Sequence, residues 1–254
     1  MTKRLKSLIS ILVLVLILAG AGYYFIKIEK VVNLDDVKEW VHKDNESGGM
    51  KQEYTEEDMN RMLTFTNFDD NLSDDLWLQY SDTFEYYKNM ILENSGVFNV
   101  NAWLSLGRAK KYVQDYVGAE EIYFYIIKFN PDNYVPEGNL ADLYANYMND
   151  YERAVEHYWR AINKAKNNYV VKLSHYSTLV DIYVERLSDR MDEFEKLMLA
   201  DLENYKDNAD FYSVVAKYYT KIDSKDEAIK YLEQALALDP TNASISEEIG
   251  RLRQ

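Results

Sequence analysis

Apolar residues recur at steps of three and four along most of the chain from residue 54 onwards, which is the spacing of one face of an α-helix. The clearest example is the segment 209–242, which carries two apolar stripes: Tyr212, Val215, Ala216 and Tyr219, then Ala228, Leu232 and Ala235. Pro240 cannot continue a helix, so the second stripe ends there. Glycine and proline are scarce, at 9 and 3 residues. The pattern predicts an all-α fold.

The order and spacing of residues in 209–242 resemble the tetratricopeptide repeat (TPR), a 34-residue helix–turn–helix unit. Ala216 and Ala228 occupy the positions where the two helices of such a unit cross, and small side chains there let the helix axes approach to about 8–10 Å. One such unit cannot bury its apolar face alone. The resemblance therefore implies neighbouring repeats, stacked into an α-solenoid of antiparallel helix pairs.

Three further copies of the pattern precede this segment, at 100–133, 134–168 and 173–207. The positions equivalent to Ala228 are Ala119, Ala154 and Glu193. Successive crossing positions are thus 35, 39 and 35 residues apart, which places the insertions in turns and in one joint between repeats. We predict four repeats over 100–242, and we expect the third, which has lost its crossing alanine, to be the weakest.

Two segments flank the predicted repeats. Residues 54–99 contain helical patterns over Thr55–Thr66 and Ser73–Glu93, and we expect these to form a degenerate hairpin that caps the array and packs on Trp103. Residues 243–254 predict a short polar-faced helix at the other end, because a solenoid must cover its terminal apolar face.

A few residues depart from the repeat pattern. Lys110 and Glu137 stand where the TPR family usually places an aromatic and a large apolar residue. Tyr112, Tyr169 and Tyr218 lie off the main apolar stripes, so we expect them to be exposed. Exposed tyrosines are frequent contact residues, because they bring a large area at a low entropy cost.

The N-terminal residues have the pattern of a membrane anchor. Ser7–Ile26 carries no charge, and twenty residues at about 1.5 Å each span about 30 Å, the thickness of a bilayer core. Three basic residues precede this run, so the positive-inside rule favours a cytoplasmic N-terminus. We predict a cytoplasmic N-terminus over 1–6, a transmembrane signal anchor over 7–28 and an acidic juxtamembrane linker over 29–53, with the C-terminal domain extracytoplasmic.

Two other topologies fit the same residues. The small residues Ala19, Gly20 and Ala21 suit a signal-peptidase site before Gly22, and cleavage there would give a secreted protein that binds a peptide or a glycan. Alternatively, the anchor is retained and the solenoid lies in the cytosol. The apolar run continues past the candidate cleavage site, which favours the uncleaved anchor.

Charge is distributed unevenly over the 254 residues, whose net charge is −14. Residues 1–30 hold five basic residues and one acidic residue, whereas residues 31–76 hold 13 acidic and 4 basic residues, a net charge of −9. Anionic headgroups would repel such a strip, which should stand off a membrane surface. No basic patch stands out, so the sequence disfavours a nucleic-acid partner.

Groups that could perform catalysis or bind a metal are scattered. His42, His157 and His175 lie in separate segments without the spacing of a metal site, and the chain has no cysteine. The acidic run 69–75 resembles the start of a calcium loop, but it lacks the glycine of the turn, and Tyr80 replaces the bidentate glutamate. No glycine-rich phosphate loop or nucleophile elbow is present. We therefore predict no catalytic residue, no cofactor and no metal.

The TPR resemblance implies that the first helix of each repeat lines a concave groove that binds a protein or peptide. The candidate groove residues are Asn101, Leu104, Arg108, Lys111, Tyr112, Asn139, Asp142, Asn146, Ser177, Asp181, Glu185, Ser213, Lys217 and Lys221. Basic residues fall at both ends of this set and acidic ones in the middle, so an extended peptide of mixed charge is the simplest ligand. Some family members hold the C-terminal carboxylate of cytosolic chaperones with a set of Lys, Asn and Arg residues. That set is incomplete here, because Leu104 and Ser174 stand where cations are needed. The sequence predicts a non-catalytic scaffold or assembly factor with an unidentified protein partner.

Overall fold

The computed structural model describes residues 53–93 and 97–254. Within these ranges the backbone forms eleven α-helices and no strand, which confirms the all-α prediction. Numbered along the described chain, the helices are α1 Glu56–Met62, α2 Asp74–Glu93, α3 Val100–Tyr112, α4 Tyr116–Phe129, α5 Tyr134–Leu143, α6 Tyr151–Lys164, α7 Tyr169–Glu185, α8 Met191–Asp201, α9 Ala209–Lys221, α10 Lys225–Leu238 and α11 Ala243–Leu252. A π-helical turn, Tyr144–Met148, follows α5.

The residues on which the membrane prediction rests are not among those described. The predicted N-terminus and anchor, at 1–28, lie outside the described ranges, as does the linker up to residue 52. Of the helices that the structure does describe, none combines the length and the apolar character needed to cross a bilayer.

Local sequence determines where the helices begin and turn. Seven of the described helices follow an Asn or Asp whose side-chain oxygen accepts a hydrogen bond from a backbone N–H of the first turn, a donor that a helix start otherwise leaves unpaired. These caps are Asn99, Asp115, Asn133, Asp150, Asn168, Asn208 and Asn242. The turns within three helix pairs contain a residue with a positive φ angle, namely Gln114, Asn149 and Asp223, and the chain reverses there.

Three helix pairs pack closely: α3 with α4, α5 with α6, and α9 with α10. Alanines lie buried at their crossings: Ala119, Ala141, Ala154, Ala216 and Ala228. In the first pair the approach is so tight that a β-carbon on Gly107 would lie 2.6 Å from Cε1 of Tyr123. These pairs therefore have the helix crossings that the TPR resemblance implies.

The remaining pair, α7 with α8, differs from the prediction. We expected Glu193 at the crossing, but the fully buried residue is Phe194, whose ring stacks on Tyr183 with centroids 4.6 Å apart. Glu193 is half-buried and pairs with Arg190. A 3₁₀ turn over Ser188–Arg190 precedes α8, so the helix presents the residue after the one that simple repeat spacing selects. Because a phenylalanine ring fills the crossing, α7 and α8 pack less closely than the other pairs.

The two helices before α3 pack on the first repeat separately. We expected them to form a hairpin, but α1 packs mainly against α4, and α2 mainly against α3. Between them, Phe65 stacks on Phe84 with centroids 4.6 Å apart. Lys110, only 2% exposed, donates hydrogen bonds to the Thr64 carbonyl at 2.7 Å and to Asp115 at 2.6 Å. This buried lysine replaces the usual aromatic residue and ties the segment between α1 and α2 to α3.

Glu137 is also buried and paired. It is 1% exposed, with His157 Nδ1 2.6 Å from one carboxylate oxygen and Lys164 Nζ 2.6 Å from the other. Burial alone would raise the pKa of Glu137, but the hydrogen bonds and charges of His157 and Lys164 outweigh it and hold that pKa below its usual range. A polar contact therefore joins α5 to α6 where the family usually has an apolar one.

Tyrosine–carboxylate hydrogen bonds join two of the junctions between repeats. Tyr144 donates to Glu120 of the preceding helix pair, and Tyr219 donates to Glu195 of its preceding pair at 2.6 Å. Burial raises the pKa of both phenols, and the acceptor carboxylates raise it further. At the middle junction, Trp159 of α6 packs edge-on against an aromatic ring of α7 with centroids 5.4 Å apart.

Candidate partner-binding groove

The fourteen predicted groove residues lie on the first helices of the four pairs, α3, α5, α7 and α9, or in the π-helical turn after α5. We call the surface that they form the groove face. Most of these side chains are exposed or half-buried, whereas Leu104 is 8% exposed and contributes mainly to the core. That these residues bind a partner remains a prediction. Their geometry and charge limit the kind of ligand that they could bind.

Lysines of the groove face bridge neighbouring first helices. Lys111 on α3 pairs with Asp142 on α5 at 2.7 Å. Lys217 on α9 pairs with Asp181 on α7 at 2.7 Å, and Lys221 lies 3.0 Å from the same carboxylate. Burial would raise the pKa of Asp181, but the hydrogen bonds from both lysines outweigh it and lower that pKa. The cations that the sequence placed at the groove ends are thus largely neutralised, because acidic residues on the next helix reach them.

Uncharged groups make the contact between α5 and α7. A β-carbon on Gly138 would lie 3.2 Å from Cε1 of His175, so the glycine allows the imidazole to approach the α5 backbone. The ring centroids of His175 and Tyr158 are 5.2 Å apart. Burial lowers the pKa of His175, so the imidazole is neutral at pH 7. At the centre of the groove face, packing between uncharged groups therefore joins α5 to α7.

A cavity of about 410 Å³ opens at the α3 end of the groove face. Its lining residues are Tyr87, Asn101, Leu104, Ser105, Arg108, Val135 and Asn139. Arg108 is exposed and donates a hydrogen bond to Ser105 at 3.2 Å, and no carboxylate pairs with it in residues 53–93 or 97–254. The sequence did not place Tyr87 here, because this residue comes from α2, outside the repeat pattern.

A second cavity, of about 320 Å³, lies at the other end, between α9, α10 and α11. Its lining residues are Ser213, Ala216, Lys217, Thr220, Lys221, Leu232, Ser244, Ile245 and Glu248. Helix α11 packs on α10 through the buried residues Ile245 and Ile249. The predicted capping helix therefore also forms a wall of the groove face, a role that its amphipathic pattern alone does not reveal.

Of the three tyrosines expected at the surface, two are exposed and one is buried. Tyr112 is 47% exposed and stacks on Tyr80 of α2 with centroids 5.1 Å apart, and Tyr169 is also exposed. Tyr218 is buried, contrary to the prediction, and its ring centroid lies 5.8 Å from that of Phe194. The large ring of Phe194 reaches the next repeat, so Tyr218 packs against the preceding helix pair.

The groove face presents side chains that could bind a partner. In the described part of the chain, no three His, Asp or Glu side chains lie where they could hold a metal ion. His157 is paired with Glu137, and His175 packs against Gly138. What the surface offers is hydrogen-bonding side chains, an exposed guanidinium and two open cavities.

Comparison with known proteins supports the repeat assignment. Residues 209–242 match the family described as "Tetratricopeptide repeat". A segment of 116 residues is 30% identical to "Protein CTR9 homolog" of Arabidopsis thaliana, which amounts to 45% of this chain and 10% of that protein. The chain therefore spans about a tenth of the relative that it matches.

Proposed function

We propose that this chain, a tetratricopeptide-repeat protein, is a non-catalytic scaffold that binds an extended segment of a partner protein along its groove face. The observation that carries this proposal is that contacts between residues of neighbouring first helices join all four into one continuous surface. Lys111 and Lys217 bridge the outer helices, and Gly138 contacts His175 at the centre. An extended segment can insert side chains into cavities on such a surface, which gives it specificity.

We further propose that one N-terminal helix anchors this scaffold in a membrane, with the repeats on the extracytoplasmic side. In that position the protein would serve as an assembly or scaffolding factor in an envelope complex. The support comes from the sequence: Ser7–Ile26 is uncharged, and three basic residues precede it.

Site-specific photocrosslinking in intact cells tests the binding proposal. A photoreactive residue at Asn146, exposed on the groove face, should capture a partner protein upon irradiation. The matched control is Gln234, which is also exposed but lies on α10, a second helix. Equal capture from both positions, or no capture from the groove face, would contradict the proposal.

Fractionation and N-terminal sequencing test the anchor. The intact chain should resist extraction by alkaline carbonate, and its N-terminus should be that of the unprocessed protein. A mature N-terminus at Gly22 would instead indicate a secreted protein. Protease added to cells with a permeabilised outer surface should digest the repeats, whereas full protection of the repeats would place them in the cytosol.

A further inference from the structure

We propose that the cavity around Arg108 binds the carboxylate of an aspartate or glutamate side chain within the partner segment. This inference rests on the proposed function, since it specifies the chemistry that one end of the groove face recognises. We call this place the Arg108 site and define it by Tyr87, Asn101, Ser105, Arg108 and Asn139.

Arg108 differs from the other groove cations in the partners that the protein supplies. Lys111, Lys217 and Lys221 each have a carboxylate oxygen within 2.7 Å. For Arg108, the acceptor found among the described residues is the Ser105 hydroxyl, at 3.2 Å. A guanidinium carries five N–H donors in a planar fork that matches a carboxylate. Most of the donors of Arg108 therefore remain available to a ligand.

The remaining lining of the Arg108 site also favours an anion. Asn101 on α3 and Asn139 on α5 line the cavity, and their side-chain amides make no hydrogen bond to another described residue. Each amide can donate two hydrogen bonds. Among the described residues, no Asp or Glu lines this cavity. An entering carboxylate would therefore meet donors from two helices and no carboxylate in the described lining itself.

An internal acidic side chain suits this site better than a chain terminus. One guanidinium matches one carboxylate, and the neighbouring groove positions among residues 97–254 supply no second cation that lacks a carboxylate partner. Leu104 is largely buried, so it adds apolar surface beside Arg108. Lys111, one helical turn further along α3, is already paired with Asp142. A carboxylate on an internal side chain can enter from a segment that continues along the groove face in both directions.

The test selects peptides from a random display library on the full-length protein in detergent micelles. We expect the selected peptides to share an Asp or Glu at one internal position. Replacing that residue by Asn or Gln should weaken binding about tenfold or more, measured by fluorescence anisotropy, because charge-assisted hydrogen bonds are about twice as strong as neutral ones. The Arg108→Gln variant should bind the acidic and amide peptides within about twofold of each other.

The matched control is Arg186→Gln. Arg186 is also exposed and also lacks a carboxylate partner among the described residues, but it lies outside the cavity, over the Tyr151 ring. This variant should keep the wild-type preference for the acidic peptide, and circular dichroism should show that both variants fold. A preference that survives Arg108→Gln, or binding that depends on a free peptide C-terminus, would overturn the inference but leave groove binding intact. Failure to select any peptide would overturn the proposed function and this inference with it.

Discussion

Replacing Glu137 by glutamine removes one negative charge from the buried contact between α5 and α6. In the native protein this carboxylate accepts hydrogen bonds from His157 and Lys164, both at 2.6 Å. Glutamine keeps the shape of the side chain and one acceptor oxygen, but its amide group would face a donor. One of the two hydrogen bonds is therefore lost, and the remaining one loses the negative charge of its acceptor.

The expected loss follows from how the two partners are exposed. A hydrogen bond to a charged group contributes about 1.5–3 kcal/mol. The Lys164 side chain is 26% exposed, so water can replace the carboxylate there, and its bond contributes at the lower end of that range. His157 is 3% exposed and has no such replacement. We expect Glu137→Gln to lower the free energy of unfolding by about 2–4 kcal/mol.

Urea unfolding of the full-length chain in detergent micelles, followed by far-ultraviolet circular dichroism, measures this loss. The control is Glu152→Gln, which removes the same charge from a side chain that is 57% exposed and pairs with Arg190. A surface ion pair of that kind contributes at most about 1 kcal/mol. If the Glu137→Gln variant unfolds at the same urea concentration as the control, the buried contact does not stabilise α5 and α6 as argued.

Three more predictions concern stability. Because folding lowers the pKa of Glu137, the stabilisation by its carboxylate is complete above about pH 4.3 and is lost as the pH falls through the folded pKa. The difference in urea midpoint between wild type and Glu137→Gln should therefore be smaller at about pH 3 than at about pH 7. Ala228→Glu places a charge at the fully buried α9–α10 crossing and should destabilise the protein by about 3 kcal/mol or more. The control Gln234→Glu, on the exposed face of α10, should have the melting temperature of the wild type. Equal melting temperatures for the two variants would show that Ala228 does not lie at the crossing. Phe194→Ala should lower the free energy of unfolding by about 3–5 kcal/mol and Glu193→Ala by less than about 1 kcal/mol, as measured by urea titration. A larger loss for Glu193→Ala than for Phe194→Ala would instead support Glu193 as the crossing residue.

The elements that were predictable from the sequence are those whose causes are local. Small residues such as Ala216 and Ala228 mark a helix crossing within one repeat. Asparagine and aspartate caps mark helix starts, and Pro240 follows α10. Each of these signals acts within a few residues of the structure that it produces. The helix order therefore followed from the pattern, even where the repeats diverge.

The contacts between repeats could not be predicted from the sequence, because they join residues that are distant along the chain. Lys111 and Asp142 are 31 positions apart, and nothing in either segment identifies the other as its partner. Tyr87 reaches the Arg108 site from a helix outside the repeats. Phe194 replaced Glu193 at its crossing because a single 3₁₀ turn shifted the helix, a change too small to alter the apolar pattern.

The junctions between repeats differ in how they respond to dissolved salt. Each outer junction combines a lysine bridge with a tyrosine–carboxylate hydrogen bond, involving Lys111 and Tyr144 at one end and Lys217 and Tyr219 at the other. The middle junction combines packing around Trp159 with the exposed ion pair of Arg190 and Glu152. Salt screens exposed ion pairs but not such packing. In a linear array, where stability is a sum of repeat and nearest-neighbour terms, order is lost first at the weakest coupling. Rising ionic strength would therefore weaken the ion pairs of all three junctions but leave the packing of Trp159 in place, and the surrounding electrolyte would influence how many repeats a partner finds ordered.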